Sequence, residues 1–172
     1  GWALSLRYCA KFLLDFTGAR KLGGIGFGDF ATPLWQTASM TDYFDCVAFG
    51  FNAGWKSFLS YSKFHGDIQP KFSDSEFAFS AGIEPQAYAI HISCPTMVLS
   101  PTNSQKYDVD RVYDTISLID DKVFSVANYT VGAREVLDNE AYNNLKLFFD
   151  RYLLNKDLLL YDDVPITYDD DE

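Results

Sequence analysis

Histidine is nearly missing from this sequence: of 172 residues only His65 and His91 carry an imidazole. Hydrolytic acid–base chemistry leans on histidine because its ordinary pKa lies close to neutrality, so such chemistry has two places to come from. Cations are also scarce, with 14 Lys and Arg against 24 Asp and Glu and a formal net charge of −10. The clustered Lys and Arg that neutralise nucleic-acid phosphates are therefore not expected. No apolar run approaches the roughly 20 residues that cross a bilayer. The three cysteines, Cys9, Cys46 and Cys94, are widely spaced and form no C-x-x-C pair, which speaks against a disulfide framework or a metal site. Their apolar neighbours read as an environment for buried free thiols. No metal and no cofactor are expected. The first residue is Gly1 and no signal peptide follows it, so the compartment stays unassigned.

What is present is a folding composition, 48% hydrophobic and 17% aromatic, at a length that buries one sizeable core. Part of the acidity is concentrated at the end, Tyr161-Asp-Asp-Val-Pro-Ile-Thr-Tyr-Asp-Asp-Asp-Glu172. Residues 1–155 read as one domain and 156–172 as an acidic tail or a linker to a further domain.

The elements alternate. Trp2 to Phe16 carries apolar residues at helical spacing, which predicts a helix with a wide buried face ended by Gly18. Lys21 to Ile25 reads as a short buried strand, Gly26 to Gly28 as a tight turn, and Asp29 as the start of a helix that runs on through Thr32 to Ser39. Pro33 is tolerated there because it falls near the first turn. Tyr43 to Phe51 is a near-continuous apolar run, as in a parallel strand covered on both faces, and Asn52 to Gly54 is a turn. Trp55 to Phe79 is aromatic-rich and fits one or two short helices around a loop; Ala78 to Ala89 reads as a helix broken at Gly82 and Pro85. Ile92 to Leu99 is a strand. Asp108 to Ile119 is an amphipathic helix with Val109, Val112, Tyr113, Ile116 and Ile119 on one side. Lys122 to Ala127 is a further strand, and Asn139 to Leu154 a final helix bearing Leu145, Phe148, Phe149, Tyr152 and Leu153. This alternation predicts an α/β fold, doubly wound around a mostly parallel sheet.

Two stretches carry a resemblance. Gly26-Phe-Gly-Asp-Phe-Ala31, on a strand–turn–helix, resembles the nucleophile elbow G-x-S-x-G of the α/β-hydrolases, specifically the G-F-S-x-G-G form of their esterase and acyl-peptidase branch. Ile92-Ser-Cys-Pro-Thr-Met-Val-Leu99 is similar to the strand that precedes the catalytic acid in that branch. The resemblance covers residues 1 to 155 and implies the C-terminal half of the hydrolase fold, about four strands. It also places the triad: the nucleophile position falls on Gly28, the acid on Ser104, and the histidine on Thr130 within Tyr129 to Gly132. None of these is a catalytic residue type in its role. Phe27, Asp29, His65 and Asn103 are the remaining candidates for the cleft. His91 is expected at the opposite end of the sheet in a structural role.

Competing chemistry is weaker. Cys46 as a replacement nucleophile sits in an apolar strand, where a thiolate is disfavoured. Asp108 with Asp110, and Asp120 with Asp121, read as solvated charges at helix ends. Gly23 to Gly28 lacks the G-x-G-x-x-G phase of a dinucleotide loop. The expectation is a catalytically inactive hydrolase-like domain acting as a structural or binding subunit, with a small acyl, glycan or peptide ligand in a vestigial cleft. The alternative is an active esterase or peptidase using displaced or partner-supplied residues. Because half of a parallel sheet ends in an unpaired strand, which proteins normally cover, the elbow-strand edge is expected to pair with another polypeptide, a missing N-terminal half or a second copy.

Overall fold

The computed structural model describes residues 1–54, 73–101, 109–127 and 137–157, with side chains of 123–127 left aside. Among them the elements run α1 (Trp2–Thr17), β1 (Gly23–Phe27), a single 3₁₀ turn (Gly28–Phe30), α2 (Ala31–Met40), β2 (Cys46–Gly50), α3 (Asp74–Ile83), α4 (Gln86–Ala89), β3 (Thr96–Pro101), α5 (Val109–Ser117), β4 (Lys122–Ala127) and α6 (Asn139–Leu154).

The four strands form one sheet in sequential order β1-β2-β3-β4, and every neighbouring pair is parallel. Parallel neighbours need helical crossovers, which α2, α4 and α5 supply. The alternation of strand side chains divides the core in two. Val47, Phe49 and Val98 face a cluster with Leu34, Trp35, Ala89, Val112 and Ile116. Cys46, Ala48, Met97 and Leu99 face the opposite cluster, with Ala141, Leu145 and Phe148 of α6. Trp35 stacks on Phe49 with ring centroids 3.6 Å apart. Truncating a buried aromatic of this kind to alanine typically costs about 3–5 kcal/mol.

The strand–helix alternation and the final helix match the sequence reading, and several boundaries move. The first strand begins at Gly23 and runs to Phe27, two residues later than expected, so Gly26 is strand and the turn starts at Gly28. β2 is shorter than the apolar run, because Tyr43 to Asp45 serve as an approach whose Asp45 carboxylate accepts from the Leu22 amide at 2.8 Å. Gly82 does not break a helix: α3 starts at Asp74, is closed by a Ser73–Glu76 capping box, and continues through Gly82 to Ile83. The break falls at Glu84 and Pro85 alone. β3 begins at Thr96 because Pro95 has no amide to give to a ladder; the Pro95 carbonyl instead accepts from Val47 at 3.0 Å.

Three burial expectations are corrected. Tyr113 on α5 is 53% exposed, on the outer side of a helix that buries Val112, Thr115 and Ile116. Cys9 is exposed, while Cys46 is buried and Cys94 half-buried, all three free. The wide apolar face of α1 is largely uncovered: Ala10 is its one buried residue, and Trp2 and Phe16 are each 76% exposed. That face lies toward the outer side of β1, beside which no strand lies among the described residues.

Candidate functional site

β1 carries Phe27 and Gly28 to the carboxyl edge of the sheet, where ligands of open α/β sheets bind. Gly28 sits there at φ 53°, a left-handed conformation that glycine adopts at no steric cost. The helix behind the turn comes very close to the strand. A Cβ on Gly26 would lie 2.7 Å from the Ala31 Cα, and a Cβ on Gly50 would lie 2.3 Å from the Phe27 ring. Glycine at 26 therefore permits the strand–helix approach, and glycine at 50 provides the floor for Phe27. The backbone here runs strand, left-handed turn and helix, with no side chain at the tip of the turn. Asp29, the next residue, is exposed in the 3₁₀ turn, and Phe30 stands where the pattern has its second glycine.

The described strands share this edge. Phe27 pairs with Gly50, Gly50 with Leu99, and Pro101 with Ala127, so all four parallel strands end on one side. Asn103 and Ser104 come two and three residues after the end of β3, and Thr130 three after the end of β4. These three, and His65, lie outside the described residues. His91 precedes β3, at the amino end of the sheet and exposed, away from this edge as expected.

The structure adds two residues that the sequence reading treated only as strand end and turn. Phe51 holds φ 59° without being glycine, and its ring lies 6.0 Å from that of Phe27. Asn52 follows it, 3% exposed, and among the described residues its Oδ1 has no hydrogen-bond donor. Positive φ at a bulky residue marks constraint, and an unpaired buried acceptor is costly unless something satisfies it. A run of Phe-Asn-Ala-Gly announces a turn but gives no sign of either feature.

Thiol chemistry does not fill the gap at the elbow. Burial pushes the Cys46 thiol up to about 12 and the Cys94 thiol up to about 11, so both are neutral near pH 7 and neither supplies a thiolate. Among the described residues no cluster of three His, Cys, Asp or Glu side chains is arranged to hold a metal, and no helix is long and apolar enough to cross a membrane.

No family model and no curated protein matches the chain, whereas solved structures do. An esterase of Pyrococcus furiosus superposes with a TM-score of 0.65 at 14% identity, over 88% of this chain and 61% of its own. A cold-adapted esterase from an Arctic intertidal metagenomic library gives 0.62 at 11% identity, over 88% and 55%. A puromycin-hydrolysing peptidase of Mycobacterium tuberculosis gives 0.64 at 14% identity, over 84% of this chain and 24% of its own. The fold is that of part of an α/β-hydrolase. At these identities the likeness speaks for the fold, and the chain spans no more than about three-fifths of the length of these proteins.

Proposed function

We propose that this chain is a catalytically inactive α/β-hydrolase-like domain that acts by binding. The observation that carries the reading is Gly28: the elbow is built, with φ 53° at its tip and Gly26 pressed against Ala31, and the residue at the tip has no atom with which to attack an acyl carbon. The acid position at Ser104 offers a neutral hydroxyl, which cannot stabilise an imidazolium as a carboxylate does. The histidine position at Thr130 offers no base. What the carboxyl edge retains is recognition. Phe27 and Phe51 supply apolar surface, and the unpaired Asn52 Oδ1 is an acceptor for a ligand amide or hydroxyl, which suits a small acyl, glycan or peptide group. The domain is residues 1–155, with 156–172 as tail or linker, and its partner is a polypeptide paired with the free edge of β1.

Hydrolysis of p-nitrophenyl acetate tests this reading. The expected result is no turnover above buffer for the chain and its His65→Ala variant alike. Turnover that follows this polypeptide through purification would overturn it. Loss of that turnover in His65→Ala would then support the esterase alternative with a displaced base.

A further inference from the structure

The chain leaves β2 through a buried turn. The Phe51 amide still donates to the Leu99 carbonyl at 2.9 Å, one residue beyond the end of the strand at Gly50. Phe51 then turns at φ 59°, and the next three residues, Asn52, Ala53 and Gly54, are all buried. Connecting segments normally run over the surface, where water satisfies their polar groups. This one buries a side-chain carbonyl: Asn52 is 3% exposed, and among the described residues its Oδ1 has no hydrogen-bond donor. A left-handed Phe and an orphaned acceptor each cost stability, and here they fall on consecutive residues. Costs of this kind gather where a site is held ready for something else.

The surroundings narrow what that is. Phe51 packs on Phe27 with ring centroids 6.0 Å apart, so the apolar part of a ligand has a wall. Among the described residues at the carboxyl ends of β1, β2 and β3 there is no Lys or Arg, and the one charge is the exposed Asp29. An anion entering there meets a carboxylate and a carbonyl oxygen with no counter-charge. A cation gives up its hydration for one neutral acceptor. An uncharged N–H donor satisfies Oδ1 at neither cost. We infer that Asn52 is the specificity-determining residue of the carboxyl-edge site, selecting a neutral amide N–H over an ester oxygen of the same shape. The inference rests on the binding reading above and adds to it the residue that discriminates and the donor it requires. An ester has no hydrogen on its bridging oxygen, so it leaves Oδ1 orphaned and sets a second acceptor against it.

N-methylbenzamide and methyl benzoate are a matched pair, differing by N–H against O. The protein is expressed from its complete coding sequence, purified with whatever accompanies it, and titrated with each compound by saturation-transfer NMR. Asn52→Leu and Asn52→Ala variants are treated alike. The expected result is binding of the amide to the parent about tenfold tighter than the ester, the order of one hydrogen bond gained and one orphan relieved. In both variants the two affinities are expected to be equal. Asn52→Leu keeps the branching at Cγ and removes the orphaned oxygen, so its urea midpoint is expected above that of the parent. Equal affinities in the parent, binding of neither compound, or a preference that survives in the variants would overturn the inference. So would a lowered urea midpoint in Asn52→Leu, which would give Oδ1 a structural role. The affinity ratio decides the inference whether or not benzoate is released from methyl benzoate, and that release alone would overturn the inactive reading.

Discussion

At the scale of single residues, Gly26 and Gly28 do different work. Gly28 is needed for its dihedral: a Cβ in the left-handed region costs roughly 1–2 kcal/mol. Gly26 is needed for space, since its Cβ would strike the Ala31 backbone at 2.7 Å, and backbone cannot yield as a side-chain end does. Gly28→Ala is therefore expected to lower stability by about 1 kcal/mol, and Gly26→Ala by about 1–3 kcal/mol as an overpacking change. Urea midpoints of the two variants check the order. If Gly26→Ala proved as stable as the parent, the strand–helix approach would not be as close as described. Gly28→Ser would restore an oxygen at the tip, but an oxygen without a base at Thr130 remains a poor nucleophile.

At the scale of elements, α6 shows how sequence and structure agree where local signals are complete. Its N-cap Asp138 accepts from the Ala141 amide at 2.7 Å, its inward stripe is Ala141, Leu145 and Phe148, and Asn155 closes it at φ 52°. Near its C-terminus, Lys146 and Lys156 donate to the Asp150 carboxylate at 2.7 and 2.8 Å, and these bonds hold its pKa below the ordinary 3.8. A depressed carboxylate pKa means stabilisation that is present above the unfolded value and lost as pH falls through the folded one. The last turn of α6 is expected to loosen on acidification below about 3.8, and to do so less in Asp150→Asn. Amide exchange of the last turn against pH measures this; an identical acid profile in both proteins would contradict it. The strand–turn–helix from Gly23 to Met40 was legible for the same reason as α6, since glycine spacing and the strand–helix switch are written locally. The β1 boundary slipped by two residues because Lys21 is defined by tertiary contacts: its Nζ is held by the Tyr152 carbonyl and Asn155. The exposure of α1 was not legible, because an apolar face announces burial but not what buries it. Asn52 was missed because an orphaned acceptor is a property of its surroundings alone.

At the scale of the whole molecule, the described residues form a four-stranded parallel sheet with a core on each face and with β1 and β4 as its two edge strands. Strand β1 carries the glycine turn at its carboxyl end and an apolar groove along its outer side. That the Gly28 turn presents no nucleophile is tested most directly by intact-mass analysis after treatment with a fluorophosphonate, with an active serine hydrolase labelled in parallel. The expected result is a full adduct on the control and an unchanged mass for this chain, purified with whatever accompanies it. A stoichiometric adduct on one serine of this chain would contradict it and would mark that serine as the true active site.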